Sequence, residues 1–93
     1  MIESEIEDKM RTMIEAKGGK FIKFTSPSSS GVPDRLVLKN PGQIIFVELK
    51  RDGGRASAMQ KRWNRVLRSY GFDARIVVGL KEAMKFIEEV FPE

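Results

Sequence analysis

The run Arg35-Leu36-Val37-Leu38-Lys39-Asn40-Pro41-Gly42-Gln43-Ile44-Ile45-Phe46-Val47-Glu48-Leu49-Lys50 holds two apolar segments on either side of a turn signal. Asn, Pro and Gly in succession favour a chain reversal: Asn tolerates left-handed backbone angles, Pro fixes φ, and Gly has no Cβ to clash. The flanking segments are rich in β-branched and aromatic side chains, so residues 35–38 and 44–49 are predicted to be the two strands of a hairpin. The second is apolar on both faces, which predicts a central place in a sheet covered on both sides. Glu48 and Lys50 interrupt it on one face, since strand side chains alternate with a period of two.

Working outward, Ile2, Ile6, Met10, Met13 and Ile14 recur at helical spacing, and Gly18-Gly19 ends a predicted first helix over 2–17. Residues 21–24 alternate as a short strand, and 26–31, Ser-rich with one Pro and one Gly, read as a loop. After Asp52-Gly53-Gly54, the residues Met59, Trp63, Val66, Leu67 and Tyr70 form one face of a second helix over 57–70, ended by Gly71. A fourth strand over 74–79 and a last helix over 80–91 complete the order α-β-β-β-α-β-α. A helix between the third and fourth strands makes those two parallel, so the expectation is one α/β domain over 1–93 with a central mixed sheet flanked by helices.

The 93 residues contain no cysteine and no histidine. Disulfides, thiolate nucleophiles, His-based triads and zinc–histidine sites are excluded, and any chemistry falls to carboxylates, lysine and a metal ion. No apolar run approaches the ~20 residues of a membrane span, and the acidic start lacks the basic stretch of a signal peptide, so a cytoplasmic location is expected. The net charge of +4 is unevenly spread: residues 50–75 carry eight bases against Asp52 and Asp73. Lys50, Arg51, Arg55, Lys61, Arg62, Arg65, Arg68 and Arg75 resemble a solvated helix face, but the scarcity of balancing acids favours a polyanion such as a phosphate backbone. A domain this small buries a limited share of its surface, so self-association is expected to help stabilise it. Met84, Phe86, Ile87, Val90 and Phe91 give the last helix apolar surface for either an interface or extra core packing.

Burying Glu48 without compensation would cost several kcal/mol, so it needs Lys50 or a metal as a partner. Asp34 opens the neighbouring strand, and the hairpin can bring both carboxylates to one edge of the sheet. A divalent cation would resolve their repulsion, and the Leu49 carbonyl offers one more oxygen for a hard cation such as Mg²⁺. On a helical wheel Glu3 lies inside the apolar stripe of the first helix and Glu7 at its border, which ranks Glu3 first and Glu7 second as a third acid. Such ligands suit phosphodiester hydrolysis, with Lys50 beside the metal and Gln60 placed to hydrogen-bond the attacking water or the scissile phosphate.

Pro33-Asp34, followed fourteen residues on by Glu48-Leu49-Lys50, resembles the PD-(D/E)XK nuclease signature. The wider pattern of Ser26-Pro27, the run 31–38, Phe46-Val47-Glu48-Leu49-Lys50, Gln60, Leu67 and Gly71-Phe72 resembles the stand-alone, phage-type virus-type replication-repair nuclease domain, VRR-NUC. The resemblance implies a restriction-endonuclease-like core. It assigns Asp34, Glu48 and the Leu49 carbonyl to Mg²⁺ or Mn²⁺, catalysis to Lys50, and a further ligand to Glu3 or Glu7. It also implies a homodimer that cuts branched DNA such as four-way (Holliday) junctions. In that setting Arg51, Arg55, Arg62, Arg65 and Arg68 would hold phosphates, and the Ser28-Ser29-Ser30-Gly31 loop, Ser30 included, would either touch the minor groove or close over the scissile phosphate. The competing readings are a non-catalytic DNA-binding module and a subunit of a larger repair or restriction complex.

Overall fold

A computed structural model of the chain describes residues 1–92. The elements are α1 (Glu3–Ala16), β1 (Lys20–Lys23), β2 (Arg35–Lys39), β3 (Gln43–Lys50), α2 (Ala58–Ser69), β4 (Asp73–Val78) and α3 (Gly79–Val90), in the order expected from the sequence. The strands form one sheet in the order β1-β2-β3-β4. β1 pairs antiparallel with β2, and β2 with β3, Phe46 lying opposite Leu36. β3 pairs parallel with β4, Glu48 lying beside Ile76. The predicted hairpin, the internal position of β3 and the mixed sheet are all present.

One face of the sheet carries the core. Val37, Ile45, Val47, Leu49 and Val77 point from the strands toward Ile6, Met10 and Ile14 of α1 and Ala83, Phe86, Ile87 and Val90 of α3. Phe86, Ile87, Val90 and Phe91 are buried there and Met84 is partly buried against the same cluster, so the apolar surface of α3 is consumed by core packing. Of the two roles left open for that helix, the structure selects the core.

The other face is covered only in part, because α2 packs mainly on the edge strand β4. No residue of α2 is buried. Tyr70, expected on the buried stripe, is 77% exposed, and Met59 is also exposed. A helix seated over a sheet edge meets strand side chains along only part of its apolar stripe, which is why periodicity alone overstated the burial of this face. Ile22, Ile44 (45% exposed) and Phe72 (49% exposed) stand on the uncovered part. Phe46 bridges them with edge-to-face ring contacts to Phe24 and Phe72.

The loop between β1 and β2 is held against α2 by a close approach at Gly31, whose φ is +85°. A Cβ there would lie 2.8 Å from the Met59 backbone. Glycine is required on both counts, steric and conformational.

Ile87 is fully buried between α1, α3 and the sheet. Ile87→Ala is expected to lower stability by about 2–4 kcal/mol, since truncation leaves a cavity the two helices cannot fill. Urea unfolding should show a lower midpoint with an unchanged slope.

Candidate active site

The antiparallel β2–β3 pairing puts the start of β2 and the end of β3 at the same end of the sheet. Asp34, Glu48 and Lys50 gather there, with Glu3 from the first turn of α1 and Gln60 from the first turn of α2. Glu48 is 6% exposed. Its Oε2 accepts a hydrogen bond from Gln60 Nε2 at 3.1 Å and lies 3.7 Å from Lys50 Nζ.

Gln60 is fixed from two sides. Ser57 Oγ accepts from the Gln60 amide at 3.1 Å, and Gln60 Oε1 accepts from the Ser57 amide at 2.8 Å, a reciprocal capping box that starts α2. Its remaining amide group is the one on Glu48. Gln60, expected to hydrogen-bond water or phosphate, is seen here in contact with the buried carboxylate. The Ser57-x-x-Gln60 spacing is a readable capping signature that the sequence analysis did not use.

Burial pushes the Glu48 carboxyl from its ordinary 4.5 up to about 7; the Lys50 ammonium opposes the rise, while the negative charges of Asp34 and Glu3 add to it. Asp34 and Glu3 are therefore electrostatic neighbours of Glu48. Glu7 is instead bound by several cations. Its carboxylate accepts from Arg11 at 2.6 Å and from Arg35 Nε at 2.5 Å. Burial pushes Glu7 up, but those hydrogen bonds and the charges of Arg35 and Lys23 outweigh it and hold the group below its ordinary value. The wheel ordering of the two acids is thus half reversed: Glu7 is the more buried, yet Glu3 is the one whose charge acts on Glu48.

The residue that organises this division is Arg35, 4% exposed, which the sequence analysis passed over. It meets Glu7 through Nε and Nη2, Asp34 through Nη1 at 2.5 Å and Glu3 through Nη2 at 3.2 Å. A lone Arg beginning an apolar strand was the available signal.

The Leu49 backbone also has a distinctive position. The β2–β3 ladder ends at Arg35 opposite Val47. In continued register Leu49 would face Pro33, which has no amide hydrogen to donate. The β2–β3 ladder thus stops two residues short of Leu49.

The donors at this end are carboxylate and backbone oxygens, with no thiol or imidazole in the chain, a set that fits a hard divalent cation. Among the described residues no three acidic side chains converge closely enough to hold an ion as they stand. Asp34 and Glu3 turn to Arg35 instead.

Outside the cluster, Arg51, Arg55, Arg62, Arg65 and Arg68 are exposed, as are Lys61 and the loop residue Ser30. Arg51 spends one nitrogen on the Asp52 carbonyl at 2.8 Å, and Arg68 spends Nε on the Ala74 carbonyl at 2.9 Å. Arg75 leaves the basic group altogether. It pairs with Asp73 and Glu89 and lies over the Phe86 ring, on the opposite face of the sheet. No helix of the described residues is long and apolar enough to cross a membrane.

A mixed four-stranded sheet with acids and a lysine at the end of its internal hairpin defines a restriction-endonuclease-like α/β domain. The VRR-NUC domain family matches residues 3–80, and the chain belongs to that family. A solved VRR-NUC domain superposes with a TM-score of 0.84 at 32% identity, covering 92% of this chain and 94% of that one. A second solved VRR-NUC domain protein shares the fold with a TM-score of 0.69 at 21% identity, over 96% of this chain and 87% of that one. The chain is also 43% identical over 60 residues to protein p44 of Acyrthosiphon pisum secondary endosymbiont phage 1, whose given name proposes a nuclease. That match spans 64% of either protein.

A carboxyl whose folded value is raised favours the protonated folded state. Relative to a neutral side chain, the Glu48 contribution is most favourable below pH 4.5, declines as pH rises toward about 7, and is flat above that. Glu48→Gln is expected to be the more stable protein at pH 8, by on the order of 2 kcal/mol, and to match the wild type near pH 4. Urea unfolding of both proteins in EDTA across that range measures the difference, and no gain at pH 8 would contradict the assignment.

Proposed function

We propose that this chain is a divalent-metal-dependent DNA endonuclease that hydrolyses phosphodiester bonds and cuts four-way junctions as a homodimer. The observation that carries the reading is the buried Glu48, held by Gln60 and Lys50 and flanked electrostatically by Asp34 and Glu3. Burying such a carboxylate on an internal strand is costly for a purely structural purpose. A Mg²⁺ or Mn²⁺ ion held by Asp34, Glu48, the Leu49 carbonyl and Glu3 would supply the Lewis acidity that activates water and neutralises phosphoryl charge.

The chain's own groups do the rest. Lys50 presents its ammonium beside Glu48, where it can orient the attacking water and offset charge on the phosphoryl oxygens. Gln60 keeps the Glu48 carboxylate in one orientation. Arg51, Arg55, Arg62, Arg65 and Arg68 supply phosphate contacts, which fix the duplex in place without reading its sequence. Ser30, exposed on the loop at the same end of the sheet, is placed for a minor-groove contact.

Self-association is supported by the sheet face that α2 leaves open. Ile22, Ile44 and Phe72 expose apolar surface beside the partly buried Phe46, and a contiguous apolar patch on so small a domain is the kind of surface a second copy covers. Two copies related by a two-fold axis would place two single-strand cutting sites on one symmetric junction.

The decisive experiment incubates the protein with labelled four-way junction, flap and linear duplex DNA in Mg²⁺, Mn²⁺ or EDTA. Cutting is expected only with a divalent cation, with the junction preferred. Asp34→Ala, Glu48→Ala and Lys50→Ala should each lose at least about a hundredfold in rate while retaining junction binding. Binding without cutting under any metal would favour the non-catalytic DNA-binding reading. In sedimentation, the wild type is expected as a dimer and Ile44→Glu with Phe72→Glu as a monomer; a monomeric wild type would remove the dimer from the proposal.

A further inference from the structure

We propose that Arg35 is an internal cationic latch, which holds Asp34 and Glu3 in the metal-free protein and releases them to an incoming divalent cation. The inference rests on the metal-dependent reading above and concerns how that site is filled.

The guanidinium is shared among three carboxylates and makes no contact with the fourth. Its bonds go to Glu7, Asp34 and Glu3, while Glu48 is held separately by Gln60 and Lys50. The three Arg35 partners are not equivalent. Glu7 is largely buried and also engages Arg11 and, at 3.9 Å, Lys23. It anchors the guanidinium whether or not the other two are attached.

Asp34 and Glu3 are the releasable partners. Their side chains are 58% and 43% exposed, and among the described residues neither pairs with any other cation. Each therefore reaches solvent by side-chain rotation, with no rearrangement of the core.

The charges set the direction of the exchange. Arg35 compensates one negative charge, and its fork geometry satisfies carboxylates through hydrogen bonds. A divalent cation carries twice that charge and binds carboxylate oxygen directly, at about 2.0–2.1 Å for Mg²⁺. It can thus draw Asp34 and Glu3 toward Glu48, closing a constellation that the three acids do not form while two are turned to Arg35. Arg35 then keeps Glu7 and stands as a fixed positive charge behind the site.

The latch has two consequences of opposite sign. It stabilises the metal-free fold by neutralising crowded acids, and it competes with the cation. Removing the charge should weaken the metal-free protein and tighten metal binding. A merely structural arginine would lower both when removed.

The test is isothermal calorimetry with Mn²⁺ at pH 8 on wild type, Arg35→Met and Arg35→Lys, beside thermal unfolding in EDTA. Arg35→Met is expected to melt lower in EDTA yet bind Mn²⁺ on the order of tenfold more tightly, with Arg35→Lys between the two. Equal or weaker Mn²⁺ affinity in Arg35→Met, with binding intact, overturns the latch and leaves the nuclease reading standing. Absence of Mn²⁺ and Mg²⁺ binding in the wild type overturns both.

The wild-type protein supplies a second measurement, which serves even where Arg35→Met fails to fold. The Arg35 guanidinium nitrogen resonances should shift on saturation with diamagnetic Mg²⁺, Nη1 most, because Nη1 serves Asp34 while Nε and Nη2 both keep Glu7 throughout. An unchanged Nη1 resonance at saturation would overturn the proposal.

Discussion

Four carboxylates, from Glu3, Glu7, Asp34 and Glu48, crowd one end of this sheet around the buried guanidinium of Arg35 and the ammonium of Lys50. That crowding of like charge is the constraint on which the rest of the structure depends. Like charges in a partly desolvated place must be paired, protonated or given a cation. All three remedies are visible or implied: Glu7 is paired, Glu48 has its carboxyl raised to about 7, and Asp34 with Glu3 share an arginine that a stronger cation can displace.

The second helix shows how one local device serves two levels of structure. Ser57 and Gln60 satisfy each other's backbone amides, which starts α2, and the spare amide of Gln60 reaches across to Glu48 on β3. The helix start is thereby tied to the site rather than to the core. The rest of α2 packs loosely on the edge strand, so its arginines stay in water, available to phosphates.

The two faces of the sheet have different fates. Val37, Ile45, Val47 and Leu49 are sealed beneath α1 and α3, which makes that face a rigid floor for the site. The opposite face holds the catalytic candidates at one end and open apolar surface at the other. A small domain cannot afford helices enough to cover both faces of a four-stranded sheet completely, which leaves surface for association.

The sequence by itself determined the elements, because each is written in local signals: the 3.6-residue apolar spacing of α1 and α3, the Asn40-Pro41-Gly42 turn, and the double-faced apolar run of β3. It also brought Asp34, Glu48, Leu49 and Lys50 into one reading, since a hairpin of known register fixes which residues share an edge. The tertiary structure alone decided the rest. Only folding places Arg35 of β2 against Glu3 and Glu7 of α1, about thirty residues away in the chain, and no local pattern encodes which of those acids a distant guanidinium will claim. The same holds for the burial of α2, where periodicity identifies an apolar stripe but the position of the helix over a sheet edge decides how much of that stripe is covered.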